Sequence, residues 1–252
     1  MIDIIKDSAT RIKTALLLMG TFLLIGYIDS FALFWLVFGG LTLVAVHESM
    51  KLFEIDDSNT YVVVSIMWLV AYFYPKPEDL VFITLIVYAS ILAYTRTFDK
   101  KLFLPILYPT VSFLFLLAIY SDYGFYYLLW LVFIVAGADV GAYYVGRAIG
   151  KTSFCETSPN KTLEGLAGGI VTAGIGGLIL APSEINIWVA LIISLFVATA
   201  SVFGDLFESY LKREAGVKDS GNILPGHGGI LDRSDGFLFG GVVLAILLRL
   251  FS

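Results

Sequence analysis

The sequence predicts an all-α, polytopic integral membrane protein with about nine transmembrane helices. Three observations carry this expectation. Hydrophobic residues fill 58% of the 252 positions and charged residues only 15%, whereas a soluble domain carries about 25% charged residues. The apolar residues fall in continuous runs without the alternation of a membrane barrel. Helices, which satisfy their own backbone in lipid, are therefore the natural element. The basic residues, finally, fall almost entirely on one side once the runs are numbered.

Polar punctuation separates nine runs: residues 14–28, 31–46, 61–74, 80–94, 102–120, 125–145, 163–181, 185–203 and 237–251. The first follows a charged N-terminal stretch. Tyr27, Ile28 and Asp29 do not form the small-residue site that signal cleavage needs, so a retained span is expected. The third and fourth are short and are divided by Pro75, Lys76 and Pro77. The seventh is rich in glycine, which suits close helix packing. Several runs fall short of the roughly 20 residues a span prefers, and Tyr and Trp flanks extend them into the interface. With the N-terminus inside, nine spans place 14 of the 16 Lys and Arg residues, Lys6 and Arg11 among them, on the cytoplasmic side and leave only Lys76 and Arg249 outside. The expectation is an inner-membrane protein with about five helices in residues 1–124. Residues 125–252 are expected to form a second membrane region, with the charged segment at 209–235 facing the cytoplasm. No repeat or separate soluble domain is visible, and no nucleic-acid partner is expected. Cys155 stands alone, which excludes an internal disulfide, and His47 and His227 are too few for a histidine metal cage. His47 and Glu48, at the end of the second run, read first as an interfacial helix end, and the sequence leaves open whether they reach the site.

Three polar constellations interrupt this apolar background. In the sixth run, Asp139, Tyr143, Gly146 and Gly150 share one helical face, with Arg147 beside them. Small-residue packing accounts for the glycines. An ionisable group inside a span marks a site by default, so Asp139 carries a functional reading beside the bland one of a paired packing residue. The second constellation, Ser158 to Gly165, opens the seventh run. Ser158 or Asn160 suits a helix cap and Glu164 suits a first turn. A phosphate held by the helix N-terminus and Lys161 stands level with a plain cap and a positive-inside anchor.

The third constellation is the densest. From Ser209 to Asp235 the chain carries Lys212, Arg213, Lys218, Asp219, His227, Asp232, Arg233 and Asp235, with Gly226, Gly228 and Gly229 between them. Lys and Arg bind phosphate, and carboxylates hold a divalent metal. The glycines free backbone N–H groups for an anion. Asp232 and Asp235, three apart, face one way if a helix begins there, and two carboxylates so spaced can share or flank Mg²⁺.

At these residues the chain resembles the phosphatidate cytidylyltransferase (CDP-diacylglycerol synthase) family. The family pattern S-x-x-K-R-x-x-x-x-K-D is met by Ser209, Lys212, Arg213, Lys218 and Asp219. The pattern P-G-H-G-G-x-x-D-R-x-D is met by Pro225 to Gly229, Asp232, Arg233 and Asp235. Ser234 departs from it, since the family usually has an apolar residue there. The stretches around Asp139 to Arg147 and Ser158 to Gly165 also resemble family motifs. The resemblance runs from about Asp139 to the C-terminus, and the first five spans carry no motif.

The resemblance implies a nucleotidyltransferase that converts CTP and phosphatidate to CDP-diacylglycerol and pyrophosphate. It also implies dependence on Mg²⁺, help from a monovalent cation such as K⁺, and a homodimer among membrane lipids. On that basis Asp219 and Asp235, then Asp232 and Asp139, are the expected metal ligands. Lys161, Lys212, Arg213, Lys218 and Arg233 are expected on phosphate. Ser209, Tyr143, His227 and the glycines are expected to shape the substrate pocket. Two other readings stand beside it: another CTP-dependent membrane lipid enzyme, such as a lipid alcohol kinase, and an anion transporter with a basic gate. The second expects a polar path through broken helices at the midplane, whereas here the charges gather at one end.

Overall fold

The computed structural model describes residues 2–96 and 99–251, with side-chain surroundings from residue 12 onward. The side chains of Lys6 and Arg11, counted above, lie outside that range. Ten α-helical segments follow in order: α1 (Ile2–Ile28), α2 (Phe31–Leu52), α3 (Asn59–Ala71), α4 (Leu80–Thr95), α5 (Phe103–Pro105), α6 (Val111–Tyr123), α7 (Phe125–Ile149), α8 (Leu163–Ile179), α9 (Ile187–Glu214) and α10 (Leu231–Phe251). A hairpin of two antiparallel strands, β1 (Ser153–Cys155) and β2 (Ser158–Thr162), joins α7 to α8. The sequence reading expected only helices. Strands this short carry too little periodicity to be seen in advance.

Among the described residues six helical stretches are long and apolar enough to cross a membrane: Phe31–Leu52, Pro77–Thr95, Lys100–Tyr123, Phe125–Ile149, Ile187–Glu214 and Leu231–Phe251. Ile12–Ile28, Asn59–Ala71 and Leu163–Ile179 are apolar but shorter. The protein is therefore helical and suited to a membrane, with six crossings supported by length. Helices also outrun the apolar runs that announced them. α9 continues through Lys212 and Arg213 to Glu214, and α10 starts at Leu231, ahead of its apolar stretch. Backbone hydrogen bonding does not stop where hydropathy does. Pro77 opens a 3₁₀ turn, Pro77–Asp79, that leads into α4.

The chain forms two compact units. One is Met1–Leu117 with Glu214–Arg233, and the other is Ala118–Arg213 with Ser234–Ser252. In the first, Trp35 and Trp68 each donate an indole N–H to the other's backbone carbonyl, at 2.8 and 2.9 Å. An unpartnered N–H in an apolar layer is costly, so this reciprocal pair ties α2 to α3. Gly39 makes the approach possible, because a Cβ there would lie 2.4 Å from Trp68 Nε1.

In the second unit α7 and α8 form the most extensive helix pair. A Cβ at Gly169 would lie 2.5 Å from the Ala138 carbonyl oxygen, and one at Gly165 would lie 2.8 Å from that of Ala142. The backbones thus touch directly, which is the packing that small residues permit where lipid supplies no hydrophobic drive. Trp130 Nε1 donates to the Gly177 carbonyl at 2.7 Å and fixes the far end of the pair. Gly204 lets α9 meet the start of α10: a Cβ there would lie 2.4 Å from the Asp235 carbonyl oxygen. That approach brings the acidic residues of α9 beside Asp235.

Candidate active site

The segment between α9 and α10 is built around a turn. His227 N donates to the Leu224 carbonyl at 2.9 Å, and Leu224 N donates to the Gly228 carbonyl at 2.9 Å. Pro225 stands second in this turn and Gly226, with φ of +74°, stands third, which is the residue pattern of a type II turn. Thr14 Oγ1 donates to the Pro225 carbonyl at 3.0 Å. Arg233 Nε donates to the His227 carbonyl at 2.8 Å, so Arg233 braces the turn from the first turn of α10.

Two carboxylates organise the rest of the segment. Asp232 Oδ2 accepts from Ser220 N at 2.8 Å, Ser220 Oγ at 2.9 Å and Gly229 N at 2.8 Å. Glu48, 1% exposed, accepts from Ile230 N at 3.0 Å and Leu231 N at 2.8 Å, and Ser220 Oγ lies 3.3 Å from it. The opening N–H groups of α10, which no helical carbonyl can satisfy, are thus capped by a carboxylate from α2. The sequence left open whether Glu48 reaches the charged segment, and the structure buries its carboxylate against it. Its neighbour His47 is exposed, with Nδ1 2.6 Å from the Tyr61 hydroxyl. The Gly229 N–H, expected to face an anion, is taken by Asp232. Lys218 and Asp219 are exposed, immediately before Ser220.

The second unit holds a cavity of about 500 Å³. Asp139, Tyr143 and Arg147 line it from α7, Lys161 from β2, Leu166 from α8, and Val202 and Asp205 from α9. Helical spacing placed Asp139 and Tyr143 on one face, and the tertiary fold sets Lys161 around the same space. Arg147 Nη1 donates to the Tyr143 hydroxyl at 2.9 Å. Lys161 forms an ion pair with Asp205, whose other oxygen accepts from Ser209 Oγ at 3.3 Å. Lys212 pairs with the fully buried Glu208 at 3.2 Å. Asp235 accepts from Gly236 N at 2.8 Å and has Asp205, Glu208 and Lys212 as its charged neighbours. Arg213 is exposed at the end of α9.

Several local expectations change here. The cap of α8 is Thr162, which accepts from Gly165 N at 3.1 Å, while Ser158 and Asn160 lie in β2. Glu164 does stand in the first turn of α8, as expected, and it accepts from Lys151 N, Thr152 N and Thr152 Oγ1 at 3.1, 3.2 and 2.9 Å, which anchors the hairpin. Asp232 and Asp235 serve different partners, Ser220 and Gly229 for one and the α9 acidic residues for the other. The sequence reading underweighted Asp205 and Glu208. The signal was present, since Asp205, Glu208 and Lys212 recur at helical spacing on an otherwise apolar helix. Glu48 and Ser220 had no such signal.

The carboxylates of Asp205, Glu208 and Asp235 offer the hard oxygen donors that Mg²⁺ takes. Among the described residues no group of three or more His, Cys, Asp or Glu side chains is already arranged to hold a metal.

Comparison with known proteins places the chain in a family. The model of the "Cytidylyltransferase family" matches residues 9–251. The chain is 43% identical over 249 residues to the phosphatidate cytidylyltransferase of Helicobacter pylori strain J99, covering 98% of this chain and 93% of that protein. It is 44% identical over 228 residues to the enzyme of the same name from H. pylori strain 26695, covering 89% and 86%. A phosphatidate cytidylyltransferase of Bacillus subtilis strain 168 is 44% identical over 176 residues, or 67% of this chain and 65% of that protein. The first of these matches spans nearly the whole chain, early helices included. With a braced signature loop, a cavity of mixed charge and similarity along almost its whole length, the chain belongs to the cytidylyltransferase family.

Proposed function

We propose that this protein transfers the cytidylyl group of CTP to phosphatidate, giving CDP-diacylglycerol and pyrophosphate for phospholipid biosynthesis. The observation that carries the reading is the 43% identity over 98% of the chain to an enzyme of that name. The placement of Lys161, Asp205, Asp139 and Arg147 around one cavity agrees with it.

In the reaction a phosphate oxygen of phosphatidate forms a bond to the α-phosphorus of CTP. The bond from that phosphorus to the β-phosphate oxygen breaks, and pyrophosphate leaves with the electron pair. Both reactants are polyanions, so the first requirement is charge neutralisation. Lys161, Lys212 and Arg213 in one unit, and Lys218 and Arg233 in the other, are proposed to bind phosphate. Lys161 rests against Asp205 and exchanges that partner for substrate. Tyr143, hydrogen-bonded to Arg147, shapes the cavity wall. A phosphate nucleophile is already ionised near neutral pH and needs no strong base. His227, with Nδ1 3.5 Å from the Pro225 carbonyl, is therefore given a role in the turn. Asp235, with Asp205 beside it, is proposed to hold Mg²⁺. Asp139, which lines the cavity of the same unit, is proposed as a further carboxylate ligand and K⁺ as an assisting ion; Asp219, exposed on the signature loop, is proposed as a cation ligand in its own unit, while Asp232 is spent on Ser220 and Gly229. Bound Mg²⁺ would supply a Lewis acid at the α-phosphate and the leaving group. Phosphatidate keeps its acyl chains among the apolar helices, since each CH₂ exposed to water costs about 0.8 kcal/mol.

The protein is proposed to sit in the inner membrane with its charged segment toward the cytoplasm, as a homodimer. Cross-linking in native membranes that yields only monomer would remove the dimer. The deciding experiment gives purified protein in detergent phosphatidate, Mg²⁺ and CTP labelled at the α-phosphate, with EDTA as control. Label in a lipid-soluble CDP product, formed only with Mg²⁺, is expected. Label that stays in water while the protein is folded, or a phosphomonoester product, overturns the reading.

A further inference from the structure

We infer that Glu48 is a positioning residue for this site: its buried carboxylate holds the signature loop and the start of α10 in the shape that presents Lys218, Asp219 and Arg233. The catalytic consequence rests on the cytidylyltransferase reading; the clamp itself rests on geometry. A carboxylate buried in an apolar helix is costly unless its oxygens are matched. Glu48 matches them with one distant segment: Ile230 N and Leu231 N at 3.0 and 2.8 Å, with Ser220 Oγ at 3.3 Å. Ser220 stands at one end of the loop and Ile230 and Leu231 at the other, so one side chain ties both ends. Asp232 ties the same serine to Gly229. The serine hydroxyl has a single proton and lies nearer Asp232, at 2.9 Å. The main work of Glu48 is thus on the two helix N–H groups.

The slot is cut to fit that carboxylate. A Cβ at Gly221 would lie 2.3 Å from Glu48 Oε1, and one at Gly229 would lie 2.5 Å from it. The charged residues emerge directly from the clamp, Lys218 and Asp219 just before Ser220 and Arg233 just after Asp232. A shift of the clamp moves all three, and an ångström of misplacement is enough to slow a positioned reaction about 100-fold. α2 carries no recognisable motif, so Glu48 gives the N-terminal region a specific part in the site.

The test compares wild type with Glu48→Gln and Glu48→Ala. Glutamine keeps the size but turns an NH₂ toward an N–H donor. We expect kcat to fall about 10- to 100-fold, more for alanine, with KM for phosphatidate little changed. Amide exchange should rise at residues 220 and 229–231 while α7 and α8 keep their protection. Wild-type values in either readout overturn the inference, as does exchange that rises evenly along every helix. Should Glu48→Ala fail to fold, Gly221→Ala displaces the carboxylate without removing it. It should loosen the same amides in wild type and add less in the Glu48→Gln background; equal effects in both would also overturn the inference. If the wild-type protein forms no CDP-lipid, the functional reading fails, while the exchange measurement still decides the clamp.

Discussion

The signature loop and the cavity of the second unit use the same residue types for opposite purposes. In the loop, Glu48 and Asp232 spend their oxygens on backbone N–H groups and one serine hydroxyl. In the second unit, Asp205 and Glu208 face lysine ammonium groups, and Asp235 lies among them. A carboxylate whose partners are amides of its own chain shapes that chain. Asp205, which faces the Lys161 ammonium beside an open volume, is placed to exchange that partner for a charged ligand. Charge density in a membrane protein is thus not one signal, and the partner of each carboxylate tells the two uses apart.

The sharpest way to break this comparison is Asp235→Asn. If Asp235 serves chemistry, CDP-lipid formation should fall about 10³-fold while insertion and thermal stability hold. Near-normal turnover would move Asp235 to the structural side. Lys161→Met comes next. Removing the cation that rests on Asp205 should cost about 100-fold in kcat/KM, seen mainly as a raised KM for CTP. A variant with unchanged KM and a lower melting temperature would make the Lys161–Asp205 pair a packing feature. Asp232→Ala tests the other side. It strands the Ser220 and Gly229 amides and should destabilise the protein by about 1–3 kcal/mol, measured by thermal unfolding in detergent. Lost activity with unchanged unfolding would instead place Asp232 with the chemistry. The smallest effect is expected for Arg249→Ala. Its pair with Asp122, at 3.4 Å, is about one-third exposed on both sides. Loss of stability within about 1 kcal/mol and wild-type turnover are expected. A large loss of turnover would show that charge pairs far from the loop and cavity also matter to the reaction.

The residues of the motif were legible one by one, because charge is rare in this chain and each charged residue stands out. Their partners were not. Asp232 and Asp235 share a spacing that suggests a common ligand, and yet the fold turns one toward Ser220 and the other toward the acidic face of α9. Helical spacing did put Asp139 and Tyr143 on one face of α7, since that relation is local. Lys161 reaches the same cavity only because the β1–β2 hairpin folds back, and strands of three and five residues leave no periodic trace. The cap of α8 shifted for the same reason, when Ser158 and Asn160 went into β2 and left Thr162 to accept from Gly165.

Composition and apolar runs by themselves determined that this is a helical membrane chain, because lipid allows few other ways to satisfy a backbone. The residue types and spacing of the charged segment pointed to the cytidylyltransferase family, which the match over residues 9–251 bears out. Only the tertiary structure decided which carboxylates hold the loop and which face cations, and only it gave Glu48 a purpose. A hydrogen bond between α2 and the start of α10 joins residues far apart in sequence. Partners 182 and 183 positions apart along the chain meet there, and no local pattern encodes that meeting.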